Sequence, residues 1–219
     1  GGGGFGGGGG FNSPPNSGNG FGFGGFRGGP GFDIDRAMRI RTIHGIVASV
    51  AMVILFPGGS IMMRIIPGRF AIWIHALAQL AAYAVYIAGA ALGIILVREV
   101  NIPFQGGTLL TNNVVRYHPI IGLVVLAALF FQPILGLIHH YRYKRLQRRQ
   151  VWSHLHLWNG RLTISLGIIN GGLGLYLAGA ANNLKIAYAV VAGFMWLLWM
   201  FFAVFGEIRR ARAGRKSTR

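Results

Sequence analysis

Residues 71–97 read AIWIHALAQLAAYAVYIAGAALGIILV, an apolar run without a charged residue that exceeds the roughly 20 residues a helix needs to cross a bilayer. Comparable stretches occupy 43–66, 118–138, 155–178 and 186–205. Inside hydrocarbon a segment must pair its own N–H and C=O groups, which makes helices the economical structure. Gly89, Gly93, Gly167, Gly171 and Gly174 offer small surfaces for close helix approach. The pattern predicts an all-α integral membrane protein, a five-helix transmembrane bundle.

Composition agrees. Of 219 residues 53% are hydrophobic and 11% charged, against about 25% charged in soluble domains. With no cysteine the chain has no disulfide, iron–sulfur cluster, thiolate metal site or cysteine nucleophile. Four acidic residues leave little material for carboxylate-based hydrolysis, and no phosphate-binding loop or catalytic triad motif is present. Chemistry here must lean on histidine, arginine or a bound cofactor.

Ahead of the first span, glycine alternates with isolated phenylalanines and shows no apolar periodicity. Such a segment cannot bury enough surface to offset its ordering entropy. Residues 1–35 are therefore expected to be a disordered glycine-rich linker, 36–208 the transmembrane domain and 209–219 a basic tail. A glycine/arginine RNA-binding segment is the rival reading, but Arg27 is the only basic residue before Arg36. The opening without methionine or signal segment suggests the C-terminal part of a longer precursor.

The net charge of +17 is shared between the two faces of the bundle, so no nucleic-acid partner is expected. On the linker's side, side A, fall Arg36, Arg39, Arg41, Arg98, Arg116 and Lys185. Side B takes about twice as many, including Arg64, Arg69, Arg142 to Arg149, Arg161 and the tail. The positive-inside rule then makes side B and the C-terminus cytoplasmic and the N-terminus non-cytoplasmic. The tail also suits anionic lipid.

Four of the seven histidines, His44, His75, His118 and His156, stand near the starts of four consecutive spans. Because neighbouring spans run antiparallel, His44 and His118 share side A while His75 and His156 share side B. Two imidazole pairs at opposite faces of a bundle are what two six-coordinate haems require, one axial nitrogen on each side of each ring. The pairs are expected roughly 25–30 Å apart in depth. Solvated interfacial histidines, or an ion or proton transporter using paired histidines, are the alternatives. His154 shares a helix with His156 but points to another face; His156 is preferred because Gly160 follows it by one turn. His139 and His140, amid tyrosine and basic residues, read as interfacial anchors. Gly45, Gly122 and Gly160 would make room for a porphyrin, with Arg41, Arg116 and Arg161 available to its propionates.

The motifs Ile43-His44-Gly45, Pro57-Gly58-Gly59 with Arg64, Ile74-His75-Ala76 with Gln79, and Tyr117-His118-Pro119 follow in that order. After them come Gln132-Pro133 with His139-His140, His156-Leu157-Trp158-Asn159-Gly160-Arg161 and Ile169-Asn170-Gly171-Gly172. Over about residues 36–208 this series resembles the cytochrome b561 family, and more closely its DOMON-linked, cellobiose-dehydrogenase-like variant. The resemblance implies two haem b groups, with His44 and His118 ligating one iron and His75 and His156 the other. It implies electron transfer from a cytoplasmic donor such as ascorbate to an outer acceptor, either ferric iron or an extracellular or upstream DOMON-type haem domain. A transmembrane ferric or monodehydroascorbate reductase activity would follow. The expected membranes are the plasma membrane or those of the secretory pathway or vacuole.

Overall fold

The computed structural model describes residues 33–99, 109–110 and 115–217, with side chains described as far as Arg212. Residues 1–32, expected to form most of the linker, and the end of the basic tail lie outside the described residues. Five long helices account for nearly all the rest, and no strand occurs among the described residues. They are α1 (Ile34–Ile65), α2 (Phe70–Glu99), α3 (Tyr117–Leu146), α4 (Val151–Leu177) and α5 (Asn182–Ser217).

The protein is an all-α membrane bundle. By length and apolarity α1, α2, α3 and α5 qualify as membrane spans. α4 has a spanning length of 27 residues but is less apolar, because Asn159, Arg161, Asn170 and several glycines interrupt it. The helices outrun the apolar runs read from the sequence. At the start of α1 the Asp33 side chain caps the Arg36 N–H at 2.9 Å, and α5 continues through Arg209 and Arg210, whose long stems can carry their charge toward water. Gly68 (φ 80°) and Gly179 (φ 59°) turn the chain after α1 and α4 through the left-handed region.

α1 is not uniform. Between Val50 and Leu55 it opens into a π turn, in which the Phe56 N–H reaches the Ala51 carbonyl. This widening comes just ahead of Pro57, which has no N–H to donate to a regular helix. Ala51, Met52, Val53 and Phe56 from this segment are buried with Tyr86, Val125, Leu129, Ile164, Ile168 and Trp199, and together they form the core. A Cβ on Gly167 would collide with Met52, so that glycine is what lets α4 close on the π turn.

Four helices form a ring in the order α1, α2, α3, α4, each packed on its neighbours, and α5 covers the seam between α4 and the second half of α1. The diagonal pairs, α1 with α3 and α2 with α4, make no extensive contact among the described residues. Short polar links hold the seams: the Tyr188 hydroxyl donates to the Ile168 carbonyl at 2.6 Å, and Trp196 Nε1 to Ser165 Oγ at 2.9 Å. Bonds of this kind between membrane helices contribute on average about 0.6 kcal/mol each. Tyr188→Phe is accordingly expected to lower the thermal midpoint slightly without loss of fold, which a melting curve in detergent would check.

Candidate functional site

The two diagonals of the ring carry the histidines: His44 on α1 faces His118 on α3, and His75 on α2 and His156 on α4 belong to the other diagonal. At side A the His44 and His118 ring centroids are 5.9 Å apart, with ring planes at 83°. The rings are not stacked on one another.

Three of the four histidines are fixed by the same device. His44 Nδ1 lies 2.7 Å from the Gly89 carbonyl, His118 Nδ1 3.0 Å from the Asn170 carbonyl and His75 Nδ1 2.9 Å from the Gly59 carbonyl. A carbonyl can only accept, so Nδ1 carries the proton in each case and Nε2 keeps its lone pair. That is the tautomer a metal ligand requires, and a bond at the far nitrogen also fixes the ring's orientation.

A glycine makes two of these carbonyls accessible. In a helix a side chain lies over the turn N-terminal to it, so the residue four places on covers a carbonyl. Four residues beyond Gly89 stands Gly93, and four beyond Asn170 stands Gly174. Cβ atoms there would fall 2.9 Å from His44 Cε1 and 2.7 Å from His118 Cε1. Gln132 and Gly136 repeat the spacing against His156, with a Gly136 Cβ 3.3 Å from its Cε1. His156 Nδ1 is buried without a hydrogen-bond partner, while the Gln132 side chain donates to the His156 carbonyl at 3.3 Å. The glycines expected beside the histidines have these surroundings. Gly45 faces open space, Gly122 meets Asn170 and Gly160 meets Gln132.

Spacing along each helix links the two ends. Fourteen residues separate His75 from Gly89, His118 from Gln132 and His156 from Asn170, whereas fifteen separate His44 from Gly59. At 1.5 Å per residue the two levels are about 21 Å apart, less than the separation expected from the sequence, because each seat lies inside the end of its helix. α1 alone has the extra residue, and α1 alone has the π turn that absorbs it.

Side B is more crowded. The His139 ring lies nearly parallel to His156, with centroids 6.0 Å apart and planes at 15°. His139 Nδ1 is 2.7 Å from Ser153 Oγ. His140 and His154 are exposed. Gln79, four residues after His75, donates across to the Phe56 carbonyl at 3.0 Å, and the tight fit of Gly59 against its amide makes room for this. Of the arginines offered to propionates, Arg41 donates to the Ala178 carbonyl at 3.2 Å, Arg116 lies over Tyr117, and Arg161 approaches Glu207 at 3.5 Å.

No cluster of three or more His, Cys, Asp or Glu side chains able to hold a metal ion occurs among the described residues. His44 and His118 come together as a pair, and a pair of imidazoles suits a metal whose other positions are filled by its own macrocycle. Glycine-cleared walls and an open diagonal fit such a planar group.

An all-α membrane bundle with paired, oriented imidazoles is thus the class of protein defined by the fold and this site. Over 170 residues the chain is 24% identical to a cytochrome b561 and DOMON domain-containing protein of Arabidopsis thaliana. That alignment takes in 75% of this chain and 39% of the plant protein, so the chain spans well under half of its relative. No family model matches the chain, and no solved structure matches it significantly.

Proposed function

We propose that this chain carries single electrons across a membrane through two haem b groups, one held by His44 and His118 and the other by His75 and His156. The observation that carries this reading is the fixing of three of these imidazoles through Nδ1 to backbone carbonyls, which leaves Nε2 free to ligate. Similarity to the Arabidopsis cytochrome b561 and DOMON domain-containing protein supports it independently. Each haem, when bound, supplies a one-electron couple at its iron.

The chain's own residues orient and insulate. Gly89, Asn170 and Gly59 hold the rings through their carbonyls; Gly93 and Gly174 clear space beside them. The core of Met52, Phe56, Val125 and Ile168 keeps water out between the two levels. With side B cytoplasmic, as the basic excess there favours, a donor such as ascorbate loses one electron at side B and an acceptor gains one at side A. Ferric iron, or a DOMON-type redox domain attached upstream of the glycine-rich segment, suits the acceptor's role. Such a domain would work at the high effective concentration a tether provides.

The test is a reduced-minus-oxidised visible spectrum of the purified chain, with haem-to-protein stoichiometry from a pyridine haemochrome assay. Two low-spin b-type haems per chain are expected, whereas a folded protein that stays colourless after haem is supplied defeats the reading. His139 sharpens the test, because it lies closer to His156 than its anchoring role requires. His139→Ala is expected to retain both haems and His75→Ala to lose one; the reverse result would make His139 the partner of His156.

A further inference from the structure

The chain has four carboxylate side chains, and three of them, Asp33, Asp35 and Glu99, lie at the side-A end, where Arg36 pairs with Glu99 at 3.0 Å. Glu207 is the fourth and stands at the other end, in the part of α5 that runs among arginines. Arg149 grips it with two nitrogens, Nη1 at 2.6 Å from Oε2 and Nη2 at 2.9 Å from Oε1. Arg64 Nη2 and Arg161 Nη2 each reach Oε1 at 3.5 Å. These arginines come from the last turn of α1, the α3–α4 link and α4, so one carboxylate gathers three elements.

The cluster is built rather than incidental. The Arg64 guanidinium lies directly against Gly206, where any Cβ would make it shift. All four side chains are 20–32% exposed, which shields their charges from full solvent screening. The cluster also adjoins the side-B histidines. Arg64 lies five residues beyond Gly59, whose carbonyl holds His75. Arg161 lies five residues beyond His156.

Like charges repel, and the Glu207 carboxylate offsets part of that repulsion among the three guanidiniums. With Glu207 among them these three carry two surplus positive charges, and Arg209 and Arg210 line the same cavity as Arg64. We propose that Glu207 is a positioning residue that sets the reduction potential of the side-B haem by cancelling one of the charges of these arginines. This rests on the haem reading above. A nearby positive charge favours the reduced iron, so charge changes of opposite sign in this cluster must move the potential in opposite directions.

The experiment is a redox titration of the full haem-loaded chain with the two haems resolved spectroscopically. In Glu207→Gln, which keeps the size and loses the negative charge, the reduced-to-oxidised ratio of the side-B haem at fixed ambient potential should rise about threefold to tenfold. In Arg149→Gln it should fall by a similar factor. The side-A haem should move in neither, and Glu99→Gln should leave the side-B haem where it was. Opposite shifts confined to side B support the assignment, and Arg149→Gln still decides it if Glu207→Gln does not fold. A haem-loaded wild type whose variants shift in the same direction, shift both haems alike or do not shift overturns the role of Glu207 alone. A wild type without haem fails earlier, on the proposed function.

Discussion

Replacing His118 with alanine is expected to take the chain from two haems to one, and replacing His44 is expected to remove the same haem. The rings of these two residues face each other at 5.9 Å across a diagonal where the helix backbones do not pack. Among the described residues each is the other's one imidazole counterpart at that level, so on the proposed pairing one deletion would leave that haem a single histidine. Combining the two substitutions should therefore cost no more haem than either alone, the non-additivity of residues that serve one site. Combining His44→Ala with His75→Ala, which removes a ligand at each end, should leave none. Pyridine haemochrome stoichiometry across the five proteins reads this directly. An additive loss within the His44/His118 pair would mean that the pairing is wrong.

A methyl group is expected to do nearly as much damage as the loss of a ligand. In Gly174→Ala the new Cβ would stand 2.7 Å from His118 Cε1, and in Gly93→Ala 2.9 Å from His44 Cε1. Neither distance is tenable, so the ring must move and the carbonyl beneath it becomes covered. Overpacking of this kind costs about 1–3 kcal/mol, and disturbing the group that orients a ligand lowers metal affinity typically about 10–100-fold. Haem titration of the apoprotein should show that loss at side A in both variants. Gly193→Ala, on a helix that carries no histidine and where nothing lies within 4 Å, should bind as the wild type does. Equal affinity in all three would remove the glycines from the site.

The two groups of glycines show how far the sequence could be read. Helices were legible because apolarity over 20 residues is a local property, and the bundle of five follows from it. α4 was legible by length, although its polar residues make it the least apolar of the five. The expectation that histidines pair across diagonals needed only the alternation of antiparallel helices, and the rings that the structure brings face to face on one of them are His44 and His118. What stayed hidden was whatever depends on a neighbour. Gly45, Gly122 and Gly160 share helices with histidines and invited attention, but the glycines that touch the rings are Gly93, Gly136 and Gly174, on adjacent helices. A signal was present: each stands four residues after the carbonyl that the ring addresses or approaches. The pattern acquires meaning only once the facing helix is known. Arg161 likewise looks available from sequence, and Glu207 occupies it from a helix that carries no histidine.

The π turn in α1 has a consequence for how length can vary in this fold. Removing one residue anywhere between His75 and Gly89 rotates everything beyond it by about 100° and turns the seat for His44 away from its ring. The same deletion between Val50 and Leu55 only converts a wide turn into an ordinary one, with some bending at Pro57, and leaves Gly59 aimed at His75. Among the helical stretches between the two levels, the first is thus the one from which a codon can be lost without the levels falling out of step, a slack joint between segments that are otherwise indexed residue by residue.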